Sequence, residues 1–263
     1  MDLGIRGRKA IVAGGSAGLG AASAQALAAE GVELFISARG RERLEDFAAQ
    51  VAQETGAKVT AVVADHGTEA GRATLLAACP EPDILVITCS PPAMTEDYLE
   101  ITPQDYRDSV ETTLIGPIEL MRATLEGMAE RGFGRVVNIA TIGAKAPWQA
   151  RLLSGPTRSA LLNFVHAVSK RYIARNVTMN NLLPGMFHTA TSLERFTQMA
   201  AEKGTTYEQE EFAFAKKRLR IPAGRFGQPE ELAPFCAMLC GAQASFITGQ
   251  SLVIDGGGIT SLL

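Results

Sequence analysis

The stretch AGGSAGLG, residues 13–20, spaces its glycines in a way that suits the binding of phosphate groups. It follows an apolar run typical of a strand and opens a segment with helical spacing. Glycine is needed where the backbone turns with a positive φ or approaches a ligand without a Cβ. The helix N-terminus adds free N–H groups and a positive dipole end. In this context we predict a dinucleotide cradle rather than a tight turn alone, with contacts at Gly14, Ser16, Gly18, Leu19 and Gly20.

The end of the second apolar run, FISAR, indicates which dinucleotide is favoured. A carboxylate at this point would accept a hydrogen bond from a ribose 2′-hydroxyl, whereas an arginine accommodates a 2′-phosphate. Arg39 therefore favours NADP(H) over NAD(H), with Ser37 and Arg41 as possible helpers. An arginine at a strand end is also commonly a plain surface residue, so this alternative stays open.

Strands and helices alternate along the chain. Near-continuous apolar strands separated by helices predict a parallel sheet covered on both faces. We expect one Rossmann-like, doubly wound α/β domain over residues 1–263. Residues 186–222 form a longer connection, which predicts a helical lid or an excursion that packs or dimerises. The predicted strands are 9–14, 32–37, 58–64, 83–88, 134–140, 177–183 and 250–255.

Composition excludes several classes of partner. The net charge is −3 and the basic residues are dispersed, which argues against nucleic acid. The sequence lacks the long apolar run of a membrane span and the apolar core of a leader. The four cysteines are scattered, so we expect neither a disulfide nor a metal site. These features predict a cytoplasmic protein that acts on a small molecule.

From about residue 7 to 258 the chain resembles the short-chain dehydrogenase/reductase family, in its 3-oxoacyl-(acyl carrier protein) reductase-like branch. The motifs are GGSAGLG, GRVVNIA, NNLLPGMFHT, GRFGQPEELA and ITGQSLVIDGG. The resemblance implies hydride transfer between a carbonyl and an alcohol. It also implies a homodimer or homotetramer built on helices near 103–130 and 154–175. Further cofactor contacts implied by the resemblance are Asp65 at the adenine, Ser90, and Pro184, Gly185, Phe187 and Thr189 at the nicotinamide.

The chain departs from the family at every catalytic position. The strand-four motif Asn-Asn-Ala-Gly reads Ile-Thr-Cys-Ser over residues 87–90, and Thr113 replaces an asparagine. Thr141 stands where the family has its serine, and Tyr-x-x-x-Lys becomes Ser154 with Arg158. A serine hydroxyl is a far weaker acid than a tyrosine phenol, and arginine does not deprotonate, although it can still bind a ribose.

Two other residues are candidates for the missing proton donor. Lys145 follows Thr141 on the loop that leaves the fifth strand, where an ammonium could stabilise an alkoxide. His188 lies at the base of the expected lid and could titrate near neutral pH. For each, a solvent-facing side chain is an equally simple alternative. Gly155 and Pro156 predict that the next helix begins only at 154–156.

Three hypotheses for the function follow from these residues. The first is an NADP(H)-dependent oxidoreductase with a non-standard proton donor. The second is a dinucleotide-binding protein with little turnover, serving as a sensor or partner subunit. The third is a non-redox enzyme that uses Thr141, Lys145 and Arg158. The intact cradle favours the first, and an apolar substrate is suggested by Met186, Phe187, Phe196, Met199, Phe212 and Phe214.

Overall fold

Seven parallel strands form one sheet in the order β3-β2-β1-β4-β5-β6-β7. The structure, a computed structural model, describes residues 2–92, 94–95 and 97–260, with the side chains of residues 190 and 191 outside that description. The predicted doubly wound class and the seven predicted strands are confirmed. The strands are β1 (Lys9–Ala13), β2 (Glu33–Ala38), β3 (Val59–Val63), β4 (Ile84–Thr88), β5 (Gly134–Ile139), β6 (Val177–Pro184) and β7 (Ser251–Ile254).

Helices cover both faces of the sheet, which is why the strands are apolar along their whole length. One face packs against α1, α2 and α9, through residues such as Leu27, Leu44 and Leu232. The other packs against α3, α5 and α6, and every residue of β5 and β6 is buried. The helices are α1 (Gly18–Ala29), α2 (Arg41–Thr55), α3 (Glu69–Ala78), α4 (Pro103–Val110), α5 (Gly116–Glu130), α6 (Gly155–Tyr172), α7 (Ala190–Lys203), α8 (Tyr207–Phe212) and α9 (Pro229–Cys240).

The order of the strands creates a crevice at one edge of the sheet. The connections after β1 and β4 run in opposite directions, because β2 lies on one side of β1 and β5 on the far side of β4. Ligands in open α/β sheets bind at this point, outside the carboxyl ends of the strands. The glycine loop and residues 88–92 border the crevice, and the loops after β5 and β6 leave the same edge.

The long helix expected over 103–130 is interrupted. α4 ends at Val110, and Glu111–Ile115 form a π-helical turn before α5 begins. The turn allows Gly116 to approach the end of β3, where an added Cβ would lie 2.8 Å from the carbonyl oxygen of His66. π-Helical turns are frequent at functional sites. This one contains Thr113.

Residues 186–222 are largely helical and pack around a small apolar cluster of their own. α7 and α8 are followed by a π-helical turn, Ala213–Arg218. The cluster is separate from the two faces of the sheet and consists of Phe196, Ala215, Ile221 and Phe226. In the described part of the chain, no helix is both long and apolar enough to cross a bilayer. Within the same residues, no group of acidic, histidine and cysteine side chains could hold a metal ion.

Candidate active site

The glycine loop has no room for side chains where the backbone passes the end of β4. A Cβ on Gly20 would lie 2.2 Å from the carbonyl oxygen of Gly14, and a Cβ on Gly14 would lie 2.3 Å from that of Thr88. Gly14 also adopts a φ of 80°. No side chain caps the N-terminus of α1, because Ala17 precedes it. The exposed peptide N–H groups and the dipole of α1 therefore fit the pyrophosphate of a dinucleotide.

The residues at the end of β2 that could meet a 2′-phosphate have different surroundings. Arg39 is exposed directly after the strand, as expected for a residue that meets a 2′-phosphate. Arg41, suggested as a helper, instead donates a 2.8 Å hydrogen bond to Glu45 on the surface of α2. Ser37, the other suggested helper, is fully buried, and its hydroxyl has no hydrogen-bond partner among the described residues. The role of these two residues at the cofactor stays a prediction.

Arg43 is the residue that the sequence analysis missed. It lines a cavity of about 350 Å³ together with Ser16 of the glycine loop and with Glu42, Asp46, Phe47 and Gln50 of α2. A signal was present in the sequence, since Arg43 lies in the first turn of α2, shortly after Arg39. Its proximity to Ser16, however, depends on how α2 packs beside the glycine loop.

The ends of β3 and β4 are joined by a histidine and a cysteine. His66 Nε2 lies 3.3 Å from Cys89 Sγ, and the Cys89 thiol donates to the Thr112 carbonyl. Burial lowers the pKa of His66 and raises the pKa of the Cys89 thiol to about 11. Both groups are therefore neutral at neutral pH, and Cys89 is not an activated nucleophile. Asp65 lies next to this pair and accepts the N–H of Gly67 at 2.9 Å.

Ser154 and Arg158 form a hydrogen-bonded pair at the start of α6, which begins at Gly155 as predicted. Arg158 Nη1 donates to Ser154 Oγ at 2.7 Å, and Nη2 donates to the Cys89 carbonyl at 3.1 Å. Both side chains are 4% exposed, and burial lowers the pKa of the Arg158 guanidinium. Because the Ser154 oxygen serves as an acceptor, its O–H stays able to donate to another oxygen.

Thr141 begins a short turn that packs on α6, beside the start of the helix where this pair lies. The Thr141 hydroxyl accepts the N–H of Gly143 at 3.2 Å, at the start of a short turn. That turn packs on α6, because a Cβ on Gly155 would lie 2.9 Å from the Gly143 carbonyl oxygen. Lys145 follows the turn and is exposed. Its role in catalysis stays a prediction.

Thr113 is buried on the side of the π-helical turn that packs against α6. Its Oγ1 lies 2.6 Å from Thr157 Oγ1 and 2.7 Å from the Ser109 carbonyl oxygen. The Thr113 hydroxyl donates its proton in one of these contacts and keeps acceptor capacity. The residue that replaces the family's asparagine therefore connects the π-helical turn to α6.

The segment after β6 leaves the same edge of the sheet as the loop after β5. Gly185 packs closely on Asp255, where an added Cβ would lie 2.7 Å from the Asp255 Cβ. Phe187 is buried and forms a short parallel bridge with Gly227. Thr189 caps α7 by accepting the N–H of Ser192 at 3.1 Å. Its hydroxyl therefore has a structural task in addition to the cofactor contact that the resemblance implies.

His188 connects this segment to α8. Its Nδ1 lies 2.9 Å from the Tyr207 hydroxyl, and its Nε2 lies 3.3 Å from Glu211 Oε1. Glu211 also accepts the backbone N–H of Phe226 at 2.6 Å. Burial and the charge of Glu211 raise the pKa of Tyr207 to about 12. The sequence indicates no partner for His188, because folding alone brings Tyr207 and Glu211 to it.

Comparisons with known proteins agree with this architecture. A family model described as enoyl-(acyl carrier protein) reductase matches residues 13–258. An uncharacterised oxidoreductase of Bacillus subtilis, YvaG, is 30% identical, and 3-oxoacyl-(acyl carrier protein) reductase FabG of Aquifex aeolicus is 27% identical. The two alignments cover 100% and 98% of this chain and 100% and 99% of the relatives. The crystal structure of L-sorbose reductase from Gluconobacter frateurii, complexed with NADPH and L-sorbose, superposes with a TM-score of 0.93 at 27% identity and covers 100% of both chains.

Proposed function

The chain belongs to the short-chain dehydrogenase/reductase family, and from this premise we propose that it is an NADPH-dependent carbonyl reductase with a Ser154–Arg158 pair in place of the family's Tyr and Lys. The observation that carries the proposal is the 2.7 Å hydrogen bond between these side chains, beside the Cys89 carbonyl at the edge of the crevice. The family membership makes it an oxidoreductase. The choice of proton donor and substrate is the proposed part.

The residues around the crevice fit the cofactor. The glycine loop takes the pyrophosphate, Arg39 and Arg43 take the 2′-phosphate, and Asp65 takes the adenosine. Ser90 and the segment with Pro184, Gly185, Phe187 and Thr189 take the nicotinamide side. The NADPH complex of L-sorbose reductase supports this choice of cofactor. When bound, the nicotinamide supplies a hydride to the substrate carbonyl.

Ser154 and Arg158 stabilise the oxygen on which negative charge develops. The Ser154 O–H donates to the carbonyl oxygen, while the guanidinium holds the Ser154 oxygen from the other side. A positive charge and an oriented donor in a buried site stabilise an alkoxide strongly. Thr141 supplies a second hydroxyl from the adjoining turn. The proton that completes the alcohol comes from water, because arginine does not deprotonate.

Residues 186–222 serve as the lid of the single domain in this proposal. Aromatic side chains give the segment an apolar interior, with Phe196 packed edge-on against Phe214 and Phe226. Phe212 is 50% exposed on the same segment. An apolar part of a carbonyl substrate would be covered by such a lid.

Removal of the Arg39 charge should separate the two dinucleotides. We expect Arg39→Ala to weaken NADPH binding about 10- to 100-fold, because a charge-assisted hydrogen bond to phosphate is worth about 1.5–3 kcal/mol. Arg43→Ala should act in the same direction, and NADH affinity should change little in either variant. A fluorescence titration of the nicotinamide measures both. The control is Lys58→Ala, since Lys58 lies before β3 in an exposed ion pair with Glu33. Equal affinities of the parent protein for NADH and NADPH would refute the assignment.

Loss of the Tyr207 hydroxyl should loosen the lid. Tyr207→Phe removes the hydroxyl that pairs with His188 Nδ1, which should lower the free energy of local opening of the segment by about 1 kcal/mol. Because proteolysis follows the population of the open form, cleavage within 186–222 should accelerate about fivefold. Mass spectrometry identifies the cleavage sites. Tyr106→Phe is the matched control, since Tyr106 is exposed on α4. An equal acceleration at sites outside 186–222 would contradict a local effect.

We also place the protein in the cytoplasm as a homodimer or homotetramer under this proposal. The four cysteines are free thiols, which suits a reducing compartment. Phe235, Met238 and Phe246 are exposed in and after α9, and Phe246 is 96% exposed. Exposed large apolar side chains that cluster in this way support an association surface.

A further inference from the structure

Two guanidinium groups extend from the start of α6 to the same loop after β4. Arg158 donates to the Cys89 carbonyl at 3.1 Å, and Arg151 Nη1 donates to the Pro92 carbonyl at 3.4 Å. Arg151 lies three residues before Ser154, and its carbonyl accepts the Ser154 N–H at 2.9 Å. Both arginines thus contact the loop that follows β4, and Arg158 also contacts Ser154.

Within residues 2–92, 94–95 and 97–260, neither arginine forms an ion pair, although Arg8, Arg41, Arg225 and others do. Burial lowers the pKa of Arg158, and the nearby charge of Arg151 acts in the same direction. Cys89, which acts in the opposite direction, carries no charge at neutral pH because burial raises the pKa of its thiol to about 11. Burial also lowers the pKa of Arg151. Arg158 is buried and Arg151 is partly exposed. A buried cation without a counter-charge is costly, so this arrangement favours the binding of an anion that reaches Arg151 from the solvent side.

The N-terminus of α6 adds to the positive potential. α6 has 18 residues, and no side chain caps its first turn. Ser154, which precedes it, accepts from Arg158 and not from the backbone of the first turn. Its dipole therefore complements an anion close to Ser154.

We propose that the substrate of this enzyme carries a carboxylate close to its reacting carbonyl, and that Arg151 and Arg158 bind it. This inference rests on the proposed reductase function. Arg151 supplies the guanidinium fork, which matches a planar carboxylate in shape and charge, while Arg158, whose Nη1 and Nη2 already donate to Ser154 and Cys89, adds its positive charge. The 2.7 Å bond between Arg158 and Ser154 places the cation one side chain away from the carbonyl oxygen. A carboxylate one or two carbons from that carbonyl meets this condition, as in a 2-oxo or 3-oxo acid.

Ser154 lacks the phenol ring that the family carries at this position, so its side chain takes up less volume beside the two arginines than a tyrosine would. The apolar lid then takes the rest of the molecule. The lid indicates a carbonyl compound with an apolar part, and the two arginines add a carboxylate to that description. The proposed substrate class is therefore a short oxo acid with an apolar side chain.

A binding experiment tests the carboxylate site without requiring turnover. In the presence of NADP⁺, calorimetry compares 4-methylpentanoate with the uncharged 4-methylpentanamide. The acid should bind about 10- to 100-fold more tightly, and Arg151→Gln should remove most of this preference, while Arg151→Lys keeps part of it. Lys58→Ala, far from α6, should keep the preference unchanged. Equal affinities for acid and amide, or an unchanged preference in Arg151→Gln, overturn the inference.

A second measurement separates this inference from the proposed function. Oxidation of NADPH is followed with 4-methyl-2-oxopentanoate and with its methyl ester. Reduction of the acid in preference to the ester supports both proposals. Equal reduction of the two keeps the reductase function and overturns the carboxylate site. Binding of the acid that is lost in Arg151→Gln, with no reduction of any carbonyl compound, keeps the carboxylate site and overturns the reductase function.

Discussion

Arg135→Met should cost about 3–5 kcal/mol of the free energy of unfolding, since the loss of a buried hydrogen-bond network leaves several acceptors unpaired. Arg135 is fully buried in β5 and donates to the carbonyls of Gly134, Asn176, Gly241 and Ala242. Its guanidinium also lies 4.3 Å from the centre of the Phe133 ring. The side chain thereby joins β5 to the end of α9.

Urea unfolding followed by circular dichroism, at one fixed protein concentration, measures this loss. Lys58→Ala provides the control, because an exposed ion pair contributes about 0–1 kcal/mol. Burial lowers the pKa of Arg135 to about 10, so the guanidinium stays charged at neutral pH and the carbonyls balance a cation. A loss no larger than that of the control would mean that water replaces the guanidinium at these carbonyls.

Ser154→Ala should lower the rate of carbonyl reduction about 10²- to 10³-fold, the effect of removing one donor from an oxyanion site. Its hydroxyl is the group on α6 that Arg158 orients, at 2.7 Å. The glycine loop and Arg39 lie after β1 and β2, so NADPH affinity should be retained. The measurement is single-turnover oxidation of bound NADPH with the same carbonyl substrate for both proteins.

Ser245→Ala is the control for this variant, because Ser245 is exposed after α9. Retention of the parent rate in Ser154→Ala would remove the hydroxyl from the mechanism. A parent protein that binds NADPH tightly but reduces no compound in a broad panel of carbonyls would favour the second hypothesis, a sensor or partner subunit. The two outcomes are distinct, since the second is seen before any substitution is made.

Local sequence patterns were sufficient for the scaffold. Apolar runs such as 134–140 predict buried strands because a strand covered on both faces admits few polar side chains. The glycines of residues 14–20 predict the cradle because positive φ and close backbone contacts are local requirements. Pro156 likewise placed the start of α6. The π-helical turn around Thr113 was not predicted, because the close approach of Gly116 to His66 that accompanies it is a tertiary contact.

The sequence by itself thus determined the sheet, the cradle and the loss of the family's catalytic side chains. Only the tertiary structure decided which side chains meet. It paired Arg158 with Ser154 and Cys89, joined His188 to Tyr207 and Glu211, and placed Arg43 beside Ser16. The physical reason is that backbone preferences act over a few neighbouring residues. The partner of a charged or polar side chain is instead set by how distant elements pack, and a long arginine side chain can reach several of them.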